Sequence, residues 1–456
     1  GGKGRIQKSE RDSFNVVLEH SLRDQLPPLE HMIAAHGARR GQNAKSIKTA
    51  DTGYLTRKLV HIAASAVIKH EDCGTTDGIE IRMKDIRQYF YKEDANETEK
   101  AEAYRESVKA MKRFVIGRNT VDGVHVDEAY VDKMLEKEKN PIIKIRSPLT
   151  CKQPFCKKCY GDDPSTRREV RLGTPIGIMA AHSLSEPSTQ LTMKVFQKGG
   201  VQGSATSSFD RLEAVIQQTD ISGRAAKGMY MTYDPVAWAD GTLRKEVSNS
   251  GMVILRIVPD HEVSKQELAL YKKAVTVPGG VSYKTETHVK RGETLRITKG
   301  DVYTPEMEKI CGVDEAALSL VHSIYFLFRP DCDVIPVHVE TIVSMLIGYQ
   351  PVVTDVKELK LGMYYTREQL EALGKDYSNT IFHKHVRGTM SALKENVNFL
   401  EALAMEDQRS ALSRAALNGL VDLGDSPLIQ NMFGWYAEIG TRINPTYAQE
   451  LEDGRW

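Results

Sequence analysis

Six cysteines in 456 residues are far too few for a disulfide-stapled secreted scaffold, and three of them crowd into one short stretch, which points to a reducing compartment and a metal. Long apolar runs are missing too. A membrane span needs roughly 18 uninterrupted apolar residues, and the nearest approach, residues 316–328, is broken by Ser319, His322 and Ser323. A transmembrane protein is therefore excluded. Neither sign of charge dominates: 62 Lys and Arg face 61 Asp and Glu, so the whole molecule offers no case for a polyanionic partner. The distribution says more. Residues 1–60 hold eleven Lys/Arg against six Asp/Glu, whereas residues 401–456 hold four against nine, so one end suits phosphate and the other does not. The chain starts at Gly1, with no initiator Met and no apolar signal region, as a fragment or processed product would.

With 41% hydrophobic and 27% charged residues, and roughly 150 residues per domain, two to four domains with ample core are expected. Pro27 and Pro28 suit a first helical turn, and Leu29, Met32, Ile33, His36, Arg40, Leu55, Leu59, Val60, Ala63 and Ala64 keep a near-helical spacing, which predicts one long helix from about Pro27 to Val67. Gly37, Gly41 and Gly53 lie inside it. Each costs up to about 1 kcal/mol relative to Ala, so they point to bending or to close approach by something bulky. Amphipathic helices follow at Asp94–Phe114, with Asn96 or Thr98 as cap, and at Asp127–Glu138. From Met229 to about Ile297, alternating apolar patches between Gly and Pro predict a small β-rich module. Helices return after Glu315, the last running from Ser391 to Asn418 with Leu393, Leu400, Leu403, Leu412 and Ala416 on its buried face. The fold class is mixed, mainly α with a small β-rich module.

Cys151, Cys156 and Cys159 stand in Cys-Lys-Gln-Pro-Phe-Cys-Lys-Lys-Cys-Tyr-Gly, and the closing C-x-x-C with a small turn after it lets two thiolates bind one tetrahedral zinc. Three thiolates need a fourth ligand. Cys73 is preferred, with His70, His61, Cys311 and Cys332 left open by spacing alone. Four protein ligands leave no open position for water, so the site would be structural.

Two stretches go further. His36-Gly-Ala-Arg-Arg-Gly41 followed by Lys48-Thr-Ala-Asp-Thr-Gly-Tyr-Leu-Thr-Arg-Lys58 closely resembles the bridge helix of the largest (beta-prime) subunit of multisubunit DNA-dependent RNA polymerases. Ile176-Gly-Ile-Met-Ala-Ala-His-Ser-Leu-Ser-Glu-Pro-Ser-Thr-Gln-Leu-Thr-Met-Lys-Val-Phe-Gln-Lys-Gly-Gly200 resembles the trigger loop of that subunit. In the family a zinc site uses one cysteine soon after the bridge helix and three before the trigger loop, and Cys73, Cys151, Cys156 and Cys159 match those places. Weaker similarity touches Gly1-Gly-Lys-Gly-Arg, Asp210-Arg-Leu-Glu-Ala-Val-Ile, Lys299-Gly-Asp-Val-Tyr-Thr-Pro and Ile335-Pro-Val-His-Val-Glu-Thr-Ile-Val.

The family's aspartate loop, Asn-Ala-Asp-Phe-Asp-Gly-Asp, which chelates the catalytic magnesium, has no match; Asp331-Cys-Asp333 and Gly161-Asp-Asp163 are superficial look-alikes. The resemblance therefore implies the C-terminal portion of a split beta-prime subunit, as in large bacteriophages, within a larger assembly. Its parts would be residues 1–72 (bridge helix), 73–172 (helical and zinc-binding), 173–226 (trigger loop and following helix), 227–300 (β-rich) and 301–456 (mostly helical). Magnesium and its carboxylates would come from a partner chain carrying the aspartate loop. Other partners would be the beta chains, template DNA, nascent RNA and nucleoside triphosphates, in the cytoplasm of an infected bacterium.

The same resemblance implies roles. Thr49, Ala50, Gly53 and Tyr54 would line the bridge-helix face near the template base, with Arg57 or Arg39 holding phosphates. Met193 would rest on the incoming base and Gln190 near the sugar. Lys194 would contact the triphosphate, where many relatives have Arg. Gln197 replaces a histidine common in bacterial relatives, and a glutamine amide does not titrate, so it would orient rather than protonate. Ser185-Glu-Pro-Ser188 replaces a Gly-Glu-Pro-Gly hinge. A rival reading is a zinc-stabilised nucleic-acid-binding or structural protein without polymerase activity.

Overall fold

The computed structural model describes residues 25–90, 96–197, 208–218, 233–247, 253–261, 275–277, 288–293, 301–329, 332–351, 363–372, 382–395, 398–405, 408–422 and 426–440, apart from positions 235 and 303, together with a few isolated residues. The architecture is mixed and mainly helical, with small, mostly antiparallel sheets.

One helix runs from Pro28 to Ala63, 36 residues, with proline in its first turn. Its two halves live in different surroundings. In the first, Leu29 and Met32 are exposed while Ile33 and Ala34 are buried; in the second, Leu55, Leu59 and Ala63 enter the main core. The helix stops at Ala63, short of the expected Val67, because the following residues bond elsewhere. The Ala66 carbonyl accepts from Gly177 N at 3.0 Å, Ile68 N donates to the Thr174 carbonyl at 3.1 Å, and Gly173 N donates to the Ile68 carbonyl at 2.7 Å.

Against this helix packs a second, Ile176–Gln197. A Cβ on Gly177 would sit 1.9 Å from the Ala63 carbonyl oxygen, so only glycine permits the approach. Pro187 lies inside the second helix. Ser185 and Ser188 hydroxyls donate back to the Ala181 and Leu184 carbonyls at 2.6 and 2.7 Å, a pattern that accommodates such a proline and bends helices.

The amphipathic helices expected from the sequence are Glu97–Val115 and Glu128–Lys137. Asn96 caps the first, its N–H donating to Glu99 Oε2 at 2.9 Å, and Asp127 Oδ1 accepts from Tyr130 N at 2.8 Å at the second. Helix Val313–Phe328 is buried on most of its circumference, which is why its apolar run looked so continuous. In the β-rich module four described strands form an antiparallel sheet, in the order Val275–Val277, Val253–Pro259, Gly241–Val247, His288–Val289, while Tyr233–Asp234 pairs in parallel with Asp301–Val302; Met229 lies outside the described residues.

The expected Ser391–Asn418 helix is instead three: Thr389–Lys394, Phe399–Met405 and Gln408–Asn418. Arg414 Nη1 takes the Lys394 carbonyl at 2.7 Å and so caps the end of the first. Each break resets the helical phase. Leu412 is consequently exposed at 49% and Ala416 faces outward, while Ala402, Ala411 and Ala415 are buried in their place.

Candidate metal centre and nucleic-acid face

The segments that leave the long helix and approach the second one also carry the cysteines. Lys157 N donates to the His70 carbonyl at 2.9 Å, which lays the chain before Cys73 beside the Cys156–Cys159 turn. In that turn Cys159 N donates to Cys156 Sγ at 3.4 Å, and Gly161 closes it at φ +87°, where a Cβ would strike the Gly117 carbonyl oxygen at 2.3 Å. The four ligand sulfurs of Cys73, Cys151, Cys156 and Cys159 all lie within 4.8 Å of one another. Cys73 and Cys159 Sγ are 3.5 Å apart, Cys151 and Cys156 Sγ 3.7 Å. All four are free thiols. A tetrahedron with zinc–sulfur bonds of about 2.3 Å has edges of about 3.8 Å, so the donor set fits zinc.

Crowding splits the thiols: hydrogen bonds from Cys151, then Cys156 and Cys159, pull Cys73 far below its ordinary range, while Cys151, bonded to Cys156, Cys159 and Cys73, is pushed up, as is Cys159. Cys156 is lowered to about 7 by hydrogen bonds from Cys151 and Cys159. The other candidate ligands are not part of the cluster. His70 Nε2 is 2.7 Å from Glu371 Oε1, which raises its pKa; His61 is held down by burial, then by Arg57; Cys311 Sγ backs onto Gly292; and Cys332 Sγ donates to Gln190 Oε1 at 3.5 Å.

Polar residues that spacing did not single out support the cluster. Arg146 Nη2 lies 3.5 Å from Cys73 Sγ, 3.5 Å from Cys159 Sγ and 3.9 Å from Cys156 Sγ, and it also bonds Asp72 Oδ1. That bond, the largest influence on Asp72, lowers its pKa. Arg118 grips the fully buried Glu340 with two nitrogens, at 2.7 and 3.2 Å, and donates to the Arg146 carbonyl at 3.0 Å; Ser147 Oγ donates to the same Glu340 at 2.6 Å. The only local signal for this network was Lys-Ile-Arg-Ser-Pro just ahead of Cys151, and nothing near Glu340 announces its partner.

On the long helix Thr49, Ala50, Gly53, Tyr54 and Arg57 are all exposed, as is Arg39. The first five recur at spacings of one, three or four and so share one face. Among the described residues, a Cβ on Gly53 would meet no atom within 4 Å. Beneath that face Lys58 is fully buried, its Nζ 3.4 Å from Glu213 Oε1 and 4.7 Å from the Tyr54 ring centroid. Tyr54 OH points to Met390 Sδ at 4.0 Å, and Arg57 Nη2 donates to the Ala404 carbonyl at 2.6 Å.

Gln190 is an exposed residue of the second helix. The backbones of Met193, Lys194 and Gln197 belong to that helix, but their side chains lie outside the described residues.

The model of the family described as RNA polymerase Rpb1, domain 5, matches residues 26–371 of this chain. The chain belongs to that family. Among curated proteins, this family member is 30% identical over 371 residues to the DNA-directed RNA polymerase subunit beta' of Clostridium acetobutylicum, covering 76% of this chain and 28% of the relative. The beta' subunit of Moorella thermoacetica is 28% identical over 425 residues, 90% of this chain and 34% of its own length. That of Thermus aquaticus is 29% identical over 438 residues, 92% and 27% respectively. The chain spans about a third or less of the length of the relatives it matches.

Among the described residues of this Rpb1 domain 5 chain, the four cysteines are the one group of three or more potential ligands close enough to share an ion. Asp163 is used locally, accepting from Ser165 N at 2.8 Å, and Asp333 pairs with Arg113; Asp331 lies outside the described residues. No described helix is long and apolar enough to cross a membrane.

Proposed function

We propose that this chain supplies the bridge helix and trigger loop of a DNA-directed RNA polymerase and is active only within the assembled enzyme. The observation that carries the reading is the open side of Gly53 on an exposed helical face. A helix built for stability alone would hold alanine there, since no described residue occupies the space. A template base pair lying against the backbone would.

In this reading Thr49, Ala50, Gly53 and Tyr54 present a shallow surface to the template, with Arg57 and Arg39 at phosphates. Lys58 and Glu213 keep Tyr54 in place from below. The helix Ile176–Gln197 with the residues after it acts as the closing element, folding over a correct nucleotide and excluding water. Gln190 then reaches the sugar, Met193 the base, Lys194 the triphosphate as a point charge, and Gln197 orients the leaving group through its amide. Magnesium bound by a partner chain's aspartates would stabilise the attacking and departing oxygens. This chain's own contribution is positioning, worth several kcal/mol of barrier when the geometry is right. Zinc held by Cys73, Cys151, Cys156 and Cys159 pins the end of the long helix to the approach of the second.

Purification at physiological salt tests this. The chain should co-elute with large partners, one bearing the Asp-Phe-Asp-Gly-Asp loop, and Lys194→Ala in that complex should slow nucleotide addition without weakening assembly. A stable monomer with no such companion refutes the reading and favours a zinc-stabilised nucleic-acid-binding or structural protein.

A further inference from the structure

Four thiolates around one divalent zinc leave a net charge of −2. Here Cys151, Cys156 and Cys159 are exposed by 3% or less, and a buried charge left without compensation is costly. The ammonium groups of the neighbouring lysines lie against glutamates. Lys157 sits 2.8 Å from Glu71 and 3.5 Å from Glu169, and Lys158 sits 2.6 Å from Glu169.

Arg146 is different. It is buried, with 6% exposure, and its terminal nitrogen stands among Cys73, Cys156 and Cys159 at 3.5 to 3.9 Å. The Asp72 carboxylate holds that nitrogen from the other side, while the Arg118 guanidinium grips the Arg146 carbonyl. The backbone and side chain of Arg146 are thus both fixed before any metal arrives.

We infer that Arg146 is the outer-sphere clamp of the zinc site: its Nη2 sets positive charge against three of the four sulfurs and so retains the metal. Asp72 positions it. A guanidinium is more weakly hydrated than an ammonium and is held by a rigid plane, so it keeps its charge at such a buried site better than a lysine on a flexible stem. The inference rests on the reading that the cluster holds zinc, and the test separates the two.

Zinc affinity is measured on the purified full chain by competition with a chromogenic chelator, and the ligand set is monitored by the absorption of cobalt(II) in place of zinc. Arg146→Met should lose 10- to 100-fold in affinity, the range typical of outer-shell partners, while cobalt still gives a tetrahedral thiolate spectrum. Arg146→Lys, which keeps the charge, should recover only part of that loss. Affinity within twofold of wild type for Arg146→Met overturns the clamp. Should Arg146→Met fail to fold in excess zinc, Arg146→Lys decides alone, and its matching wild type overturns the clamp equally. A wild-type chain that binds no zinc sinks the metal reading itself.

Discussion

Gly53 and Gly177 both interrupt long helices, yet the same substitution should act on them in opposite directions. At Gly53 an added Cβ meets no described atom within 4 Å. Alanine therefore returns the helix-propensity cost of glycine, about 0.5–1 kcal/mol, without a clash. At Gly177 the added carbon would lie 1.9 Å from the Ala63 carbonyl oxygen and 2.7 Å from Ala66 Cβ. One contact is with backbone, so the two helices must separate, and overpacking of this kind costs about 1–3 kcal/mol. Urea melts of the full chain should place Gly53→Ala above wild type and Gly177→Ala below it. In the assembled enzyme the ranking should differ. Gly53→Ala, although the more stable protein, should elongate RNA more slowly, because its methyl group occupies the space proposed for a template base pair. A Gly53→Ala enzyme with wild-type elongation would refute the assignment of that face to nucleic acid, and a destabilised one would show that the space is not open.

Removing the Glu340 charge by Glu340→Gln should cost on the order of 3–5 kcal/mol, because it leaves Arg118 as an uncompensated buried cation; a loss below about 1 kcal/mol in a urea melt contradicts this. Burial lowers His322 and His338 to about 4 from 6.5. Between those values the unfolded chain takes up protons that the folded chain refuses, so stability is full above pH 6.5 and falls as pH drops toward 4, by up to about 3 kcal/mol per histidine. His322→Phe should flatten that decline between melts at pH 7 and pH 4.5, and an unchanged slope would remove His322 as a cause. Gln197→Ala should slow nucleotide addition several-fold, the loss of a hydrogen bond worth about 1 kcal/mol, and Gln197→His should introduce a rate that titrates near neutral pH. If Gln197→Ala and Gln197→Glu both match wild type, the position has no orienting role.

What was legible in the sequence were features with a local signal. Pro27 and Pro28 opened the long helix, Asn96 and Asp127 capped theirs, and the C-x-x-C spacing marked a knuckle that the fold completes with Cys73. The helix end at Ala63 was overrun because Ala64 to Val67 are ordinary helix formers. What stops them is the pairing of residues 66–68 with residues 173–177, a distant event that no window of periodicity contains. The Ser391–Asn418 segment failed for a related reason: three short helices in different phases share one composition, and a carbonyl cap from Arg414 is invisible before folding. The stripe from Thr49 to Arg57 came from the resemblance to the bridge helix, and the structure adds that these residues are exposed. Arg146 and Glu340 were not legible, since a buried ion pair spanning 222 positions, here Arg118 to Glu340, has no signature in either neighbourhood.

That last pairing has a consequence for biogenesis. As the chain leaves the ribosome, every cysteine of the knuckle is translated well before Glu340. During that interval Arg118 lacks its carboxylate, and the loop bearing the thiols goes without that support. Synthesis cut short ahead of residue 340 would thus yield a polypeptide with all four sulfurs and a weak hold on its ion, and messages truncated there should generate products that chelators strip quickly and proteases clear first.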